Sequence, residues 1–562
     1  MNHPAAFILM VLLPTLFFAW QLPKLEVNSD VPAMFHSDDP DLVYYEGFYK
    51  EFGNEEFFAV LFRCEDVFDL RILRMIDRLT KRFEELPGVN QVFSVTSFSS
   101  AYNKGDTLVV GALEDELSYL QPSDMESIRN RILSDPLYQK VTIVQKDGKG
   151  ASINIALDKL ASQKYKKKVA SEIRKIIMEE EKREGIKMIM GGIPFYLVSA
   201  DEAFMRDSRL MVPVLVSIVF FVLFLIFRSY WLPSVPLIVA GISIVWTFGF
   251  VVVMGKFITS ISEIVLPLIL IYGILTSVHF LSAYRQMVLK TQDRREAILK
   301  TVAHITRPCL WASVTTAIGF LSLLTSSVTV IQDFGLYASF GVMVSYLLTF
   351  TFLPLGLDWL GWKMPSLVKN KSGSSIQEFV EIISGLAGRY SRSIVVGTVG
   401  IIVLFVFWMG RVTVDTNYLS LFREDTEVIQ SERLASEFFG SWAPIEFSVR
   451  YKDGRDVLDY AALQEIAKLQ TYLESFPPID KSLSVADMLK KANQELHGGD
   501  PNFYVIPSDK MAIERLAIFM QDLGGRKGLS SYLANDWSRM RLTARSHILP
   551  SKEFVALFEE IE

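Results

Sequence analysis

Read for hydrophobic and polar positions alone, the chain alternates between long apolar runs and long mixed ones. A helix needs about 20 apolar residues to cross a bilayer core of roughly 30 Å, because unpaired backbone groups are not left in hydrocarbon. Seven runs qualify, approximately 4–20, 210–227, 232–254, 264–284, 309–330, 334–360 and 394–410. They divide the chain into a first span at 1–22, a polar domain at 23–208, spans two to six at 209–360, a linker at 361–392, a seventh span at 393–411 and a second polar domain at 412–562.

Lys and Arg in short loops mark the cytoplasmic side. The loop after the fourth span holds Arg285, Lys290, Arg294, Arg295, Lys300 and Arg307, and that after the sixth holds Lys363, Lys369, Lys371, Arg389 and Arg392. Both loops are therefore expected in the cytoplasm, and counting back through the spans places both polar domains outside it. Met1 to Gln21 also admits a reading as a signal peptide, although a positive leader and a small-x-small cleavage site are missing.

The two polar domains repeat one another. Sliding the chain on itself pairs Val27 with Val414, Phe35 with Phe422, Asp38 with Asp425, Phe52 with Phe439, Gly53 with Gly440 and Arg63 with Arg450 without a gap, and lays the first span on the seventh. Leu86-Pro87-Gly88-Val89 then matches Phe476-Pro477-Pro478-Ile479. If this is a duplication, the second domain should end roughly 35 residues beyond Glu562, so the chain reads as a partial sequence. Within the first domain, 57–62 and 91–95 read as strands around an amphipathic helix at 69–85. A hairpin is expected from 141–145 and 151–157, then a helix at 163–183 and a strand at 186–190. Split βαβ units of ferredoxin type are the natural assembly, giving a polytopic α-helical membrane bundle with α+β ferredoxin-like extracytoplasmic domains.

Composition agrees with a protein that alternates between lipid and water: 50% of residues are hydrophobic, yet 21% are charged. The net charge of −6 gives no reason to expect a nucleic-acid partner. Cys64 falls in a polar domain and Cys309 at the start of a span, so no disulfide is expected between them. There is no G-x-x-x-x-G-K-[ST] segment, no G-x-S-x-G elbow and no H-E-x-x-H or C-x-x-C pair. Neither a cofactor, a metal nor enzymatic activity is expected. Gly191-Gly192-Ile193-Pro194 reads as a turn into the next helix rather than a phosphate loop.

The run Arg307-Pro308, Trp311 through Phe320, Asp333-Phe334-Gly335 and Leu353-Pro354 resembles spans five and six of the resistance-nodulation-division superfamily. Gly273 through Phe280, with Tyr284-Arg285, resembles the fourth span of its MMPL-like and hopanoid-exporter-like branch, and spans two to six resemble the sterol-sensing region of Patched and Niemann–Pick proteins. The resemblance implies twelve spans in the cell (inner) membrane and two extracytoplasmic porter domains. It also implies export of hydrophobic or amphiphilic small molecules with protons or another ion as the driving partner; membrane lipid is the surrounding partner, and a homo-oligomer stays open.

Ionisable groups in a span are functional candidates because each costs about 2.5–3.5 kcal/mol or more to place there. His279, with Thr276 and Ser277 beside it, is the candidate for proton or ion coupling in the fourth span, while Glu263 and Asp333 open the fourth and sixth. Where the resembling family carries an aspartate as proton carrier, this chain offers Leu275 and Thr276, and a threonine does not exchange protons near neutral pH. Either the relay lies elsewhere, or His279 has taken the role, or coupling does not occur. Pro308, Thr315, Thr316, Gly319 and Gly335 form the expected span-packing motif, which lets helices approach closely. Two functions follow as expectations: an ion-gradient-driven exporter, or a non-transporting lipid sensor or secretion accessory with the same fold.

Overall fold

The computed structural model describes residues 4–28, 31–36, 38–53, 57–104, 107–157, 163–227, 233–259, 261–291, 293–359, 375–413, 415–523 and 529–561. The chain divides into two compact units, one built from Met1–Asn28 with Met205–Asp415 and the other from Ser29–Phe204 with Thr416–Glu562.

Among the described residues, six helices are long and apolar enough to cross a membrane. They are Ile193–Phe227, Ser234–Val253, Val265–Thr291, Arg294–Leu321, Thr329–Trp359 and Ser391–Met409. The expected first span is a shorter helix, Pro4–Gln21, of 18 residues. Several boundaries differ from those read off the apolar runs. The second expected span lies in a 35-residue helix that already begins at Ile193. Arg294–Leu321 starts well before the apolar run at 309, capped by Asp293, whose carboxylate accepts from the backbone of Arg295 and Glu296. Arg294, Arg295, Lys300 and Arg307 therefore ride on a helix whose other face buries Ala297, Ile298 and Thr301, and polarity alone does not end a helix with such a stripe. Lys363, Lys369 and Lys371 of the second basic loop lie outside the described residues.

The helical unit packs around Val239, Ala240, Leu270, Ile274, Phe280, Leu281, Leu348 and Leu353. Pro4–Gln21 joins this core through Val11. Gly249 leaves room for Phe18: a β-carbon there would stand 2.5 Å from the Phe18 β-carbon. Beyond the first helix, Asn28 N and Ile258 O meet at 2.8 Å, as do Ile258 N and Glu26 O, forming a single parallel bridge.

The α/β unit contains the two repeats. In chain order its strands are β1 Phe57–Arg63, β2 Val89–Phe93, β3 Ser100–Lys104, β4 Thr107–Gly111, β5 Gly150–Leu157, β6 Met188–Gly191, β7 Ala443–Val449, β8 Ile479–Leu483 and β9 Met540–Ser546. The first sheet runs β2-β5-β1-β6, the second β7-β9-β8, and β3 pairs with β4. All pairings between these nine strands are antiparallel. Helix Leu70–Glu84 follows β1 and Tyr460–Leu473 follows β7, each capped by the aspartate before it, Asp69 or Asp459. Even the irregularities recur: β2 bulges between Val89 and Gln91 against β5, and β8 between Ile479 and Lys481 against β9. Gly53 and Gly440 end equivalent helices, Pro40–Phe52 and Glu427–Phe439, at φ 89° and 67°, a region glycine enters without steric cost.

One expected strand is absent. Residues 141–145 form no strand and meet β5 through the bridge between Val144 and Ala151, with Gln145 N donating to Gly150 O at 2.8 Å and Ser152 N to Ile143 O at 2.9 Å. Thr142 has φ 59°, which breaks the extended run.

β1 is apolar on both faces because both are covered, and β5 is buried along its whole length, with Ser152 and Asn154 as polar residues on one face. Helices lie on one face, and Glu427–Phe439 of the second repeat lies on the other. Its Val428, Ala435, Phe438 and Phe439 join the core of the first sheet, and Met190 N donates to Glu427 Oε1 at 3.3 Å. The exchange is mutual: Phe48 and Phe52 of Pro40–Phe52 pack with Ala534, and Glu51 pairs with Arg539 at 2.9 Å. Between the repeats, Lys140 meets the buried Asp487 at 2.8 Å, and Gln470 donates to the other oxygen of that carboxylate at 2.7 Å.

Candidate functional site

The polar groups of the helical unit lie in two places. The first is a seam between Ser234–Val253, Val265–Thr291 and Thr329–Trp359. Ser243, Thr247, Ser277, Ser345 and Thr349 are fully buried there. Three donate to the carbonyl one turn back, Ser243 to Val239, Thr247 to Ser243 and Thr349 to Ser345, at 2.7–2.8 Å. That habit satisfies a hydroxyl inside its own helix and leaves its lone pairs for a neighbour. Ser277 and Thr349 use them, sharing a hydrogen bond of 3.3 Å across two helices. Glycines set the close approach: a β-carbon on Gly273 would sit 3.1 Å from Ala240 Cα, and one on Gly341 would overlap Ile269 and stand 2.8 Å from Thr247 Oγ1.

The second place is the other side of Val265–Thr291. Tyr272 donates its hydroxyl to Ser313 of Arg294–Leu321 at 2.8 Å, and Thr276 donates to Tyr272 O at 3.0 Å. Here the structure separates what the sequence had grouped. Thr276 and Ser277 are buried, whereas His279 is exposed on the outer face of this unit, continuing a stripe from Ile271 and Leu275 at four-residue steps. Leu275 itself is 51% exposed.

Asp333 is not the opening residue of its helix, which begins at Thr329. Its carboxylate pairs with Lys256 at 3.2 Å, tying the loop after Ser234–Val253 to the first turns of Thr329–Trp359. Glu263 falls in the short turn Ser262–Ile264, and its side chain lies outside the described residues. At the opposite end of the unit, Arg295 pairs with Asp358 at 3.1 Å and Arg294 donates to Asp358 O at 3.0 Å.

The expected packing motif divides as well. Gly335 sits tightly against the end of Arg294–Leu321, where a β-carbon would be 2.4 Å from Phe320 O. Gly319 faces open space, and Thr315 is exposed and bonded within its own helix to Trp311 O at 2.9 Å. Thr316 likewise donates to Ala312 O at 2.8 Å, and Pro308 is an exposed residue inside the helix. Sequence reading missed Thr349, Ser345 and Lys256. The first two carry a faint signal, hydroxyls four residues apart in an apolar run; Lys256 carries none, because a loop lysine is ordinary until its partner is known. Among the described residues no group of three or more His, Cys, Asp or Glu is placed to hold a metal ion. The seam can hold helices together and accept hydrogen bonds, and its hydroxyls do not titrate near neutral pH.

Comparison with known proteins matches these elements. The model of the MMPL family fits residues 69–380, more than half of the chain. A membrane protein of Methanocaldococcus jannaschii is 20% identical over 362 residues, 63% of this chain and 90% of that protein. A membrane protein of Streptomyces coelicolor is 24% identical over 250 residues, 42% of this chain and 29% of its own. The hopanoid transporter HpnN of Rhodopseudomonas palustris is 28% identical over 164 residues, 29% of this chain and 18% of its own. The chain thus spans less than a third of the last two relatives. With a matching family model that runs from helix Leu70–Glu84 of the α/β unit through the five apolar helices up to Thr329–Trp359, the chain belongs to the MMPL family, of the resistance-nodulation-division type.

Proposed function

We propose that this chain is an exporter of hydrophobic or lipid-like substrates, driven by an ion gradient. The observation that carries the reading is the union, in one MMPL-family chain, of apolar helices with a duplicated α/β unit. In the proposal Pro4–Gln21 is a seventh crossing, at the short end of the roughly 17–25 residue range for a spanning helix. The α/β repeats are porter domains of ferredoxin type outside the cytoplasm. The order β2-β5-β1-β6, with a helix after β1 and another after β5, supports that type. The likeness to a hopanoid transporter supports a lipid-like substrate. His279 is the proposed proton carrier, since it lies one turn from Leu275 on the same exposed stripe and an imidazole can take up and release a proton.

Reconstitution of the full chain in liposomes, with a fluorescent amphiphile and an imposed pH gradient, tests this. Movement of the amphiphile that collapses with the gradient is expected. Leu275 and Thr276, where the resembling family carries an acid, favour a second reading as a lipid sensor. Binding of the amphiphile without any gradient-dependent movement would select it.

A further inference from the structure

The two sheets match pair for pair except along one edge. The duplication lays β1 on β7 and β5 on β9: Phe57 opposite Ala156 becomes Pro444 opposite Arg545, and Val89 opposite Leu157 becomes Ile479 opposite Ser546. β1 is an interior strand, with β6 along its other side from Ala59 opposite Gly191 to Phe62 opposite Met188. Among the described residues β7 has β9 on one side and no strand on the other. The open stretch is Glu446 to Val449, the counterparts of Ala59 to Phe62.

The direction of the backbone prepares this edge for pairing. Arg541 N donates to Tyr532 O at 2.8 Å, away from β7, so Arg541 and its register partner Ser448 do not bond to one another through the main chain. The N–H and C=O of Ser448 therefore point to the open side. In the first copy the counterpart of Ser448 is Leu61, and Ile189 of β6 lies opposite it. Met188 N and Met190 N turn outward to Glu181 Oε1 at 2.7 Å and Glu427 Oε1 at 3.3 Å, which leaves the N–H of Ile189 facing β1. The same two carboxylates blunt the free edge of β6, whereas Glu446 to Val449 contains neither the proline nor the lysine that commonly protects an edge strand.

Side chains around the edge are bare where their counterparts are covered. Phe58, Val60 and Phe62 are at most 1% exposed, yet Phe447 and Val449, the counterparts of the last two, stay partly exposed. Ser431 of Glu427–Phe439 is fully buried, and a β-carbon on Gly191 of β6 would stand 3.3 Å from the Ser431 β-carbon. Its counterpart Tyr44, on Pro40–Phe52, is 62% exposed. One turn from Tyr44, the ring of Phe48 lies 5.6 Å from the guanidinium of Arg541, the residue opposite Ser448. The contact between Pro40–Phe52 and the second sheet thus runs on past Phe48 to a surface that the first copy covers with a strand.

We propose that the open edge of β7, with Tyr44 beside it, takes an antiparallel strand of the β6 kind, a short apolar polypeptide segment closed by glycine. Main-chain hydrogen bonds at Ser448 hold it, and its side chains cover Phe447 and Val449. Glycine suits the closing position because the backbones approach closely there: in the first copy a β-carbon on Gly192 would overlap Phe57 O. None of this rests on the exporter reading.

The test uses the full chain in dodecyl maltoside and a fluorescent peptide copying residues 183–193, with binding read by anisotropy. Saturable binding is expected. N-methylation of the peptide at Ile189 should weaken it by about tenfold, because the inward N–H is lost. N-methylation at Met190, whose N–H faces out, should leave it unchanged, and the two peptides enter detergent alike. In the protein Ser448→Pro should also weaken binding by about tenfold, proline being tolerated where the N–H of an edge strand faces outward. Tyr44→Asp, on an exposed helix face, should weaken it too, and serves if Ser448→Pro does not fold. No saturable binding, or binding that neither the Ile189 methyl group nor the variants weaken, overturns the proposal. Self-association of the chain in sedimentation that is lost in Ser448→Pro, with no peptide bound, overturns it as well, by making a second copy the occupant.

Discussion

Trp246 donates its indole Nε1–H to Thr15 Oγ1 at 2.8 Å, and the Thr15 hydroxyl in turn donates to Val11 O at 2.6 Å. This chain of bonds fastens Pro4–Gln21 to Ser234–Val253 in a part of the protein where hydrophobic burial does little to hold helices together. Thr15→Val should cost about 0.6 kcal/mol and at most roughly 1.7 kcal/mol in detergent unfolding. N-terminal sequencing of the purified protein should also find residues 4–21 retained; their removal would restore the signal-peptide reading.

Two glycines of one expected motif should behave oppositely. Gly335→Ala places a methyl group 2.4 Å from a backbone oxygen that cannot rotate away, so a loss of about 1–3 kcal/mol is expected. Gly319→Ala meets nothing within 4 Å and replaces a poor helix former, so unchanged or slightly higher stability is expected. Thermal unfolding of the two variants side by side decides the matter.

His279→Ala should leave the unfolding midpoint within the small range of surface substitutions, about 0.5 kcal/mol, because the side chain is exposed. Gradient-driven movement of an amphiphile should nonetheless be lost, and His279→Gln should not restore it. Full transport by His279→Ala would remove this residue from the coupling.

Lys481 gives a pH signature. Burial above all takes its pKa from 10.5 to about 8 on folding, so between those values the unfolded chain binds more protons and stability from this group rises with pH. Below about 8 the full cost applies, on the order of 3 kcal/mol. Lys481→Gln should therefore flatten the rise in unfolding midpoint between pH 8 and 10, and should not lower the midpoint at pH 7 by more than its bond to Phe439 O contributes.

Orientation is open to chemical labelling. Tyr119 is 85% exposed in the α/β unit, whereas burial, with Asp66 and Asp69, pushes the Cys64 thiol up to about 11. In a Cys309→Ser background, Tyr119→Cys should react in intact cells with a membrane-impermeant maleimide at neutral pH, while the parent carrying Cys64 reacts slowly. Labelling only after lysis would place this unit in the cytoplasm.

Much of the architecture is legible because it depends on local pattern. Length and apolarity announce the long helices. Pro40–Phe52 and Glu427–Phe439 begin and end at positions that the ungapped alignment of the repeats already pairs. What escaped depends on backbone torsion or on neighbours distant in sequence. Thr142 looks like a strand residue until its φ is known. Ser277 was visible in its helix, but its bond to Thr349 depends on how two helices are staggered. Thr276 and His279 are three residues apart, close enough to share a helical face on paper; packing buries one and exposes the other.

The mutual loan of Glu427–Phe439 and Pro40–Phe52 has a last consequence. Each sheet depends for its cover on a segment encoded in the other copy, so neither copy can be cut out, expressed separately or replaced by a relative's without baring the surface of its sibling. A change in either segment is therefore felt in the fold of the other copy.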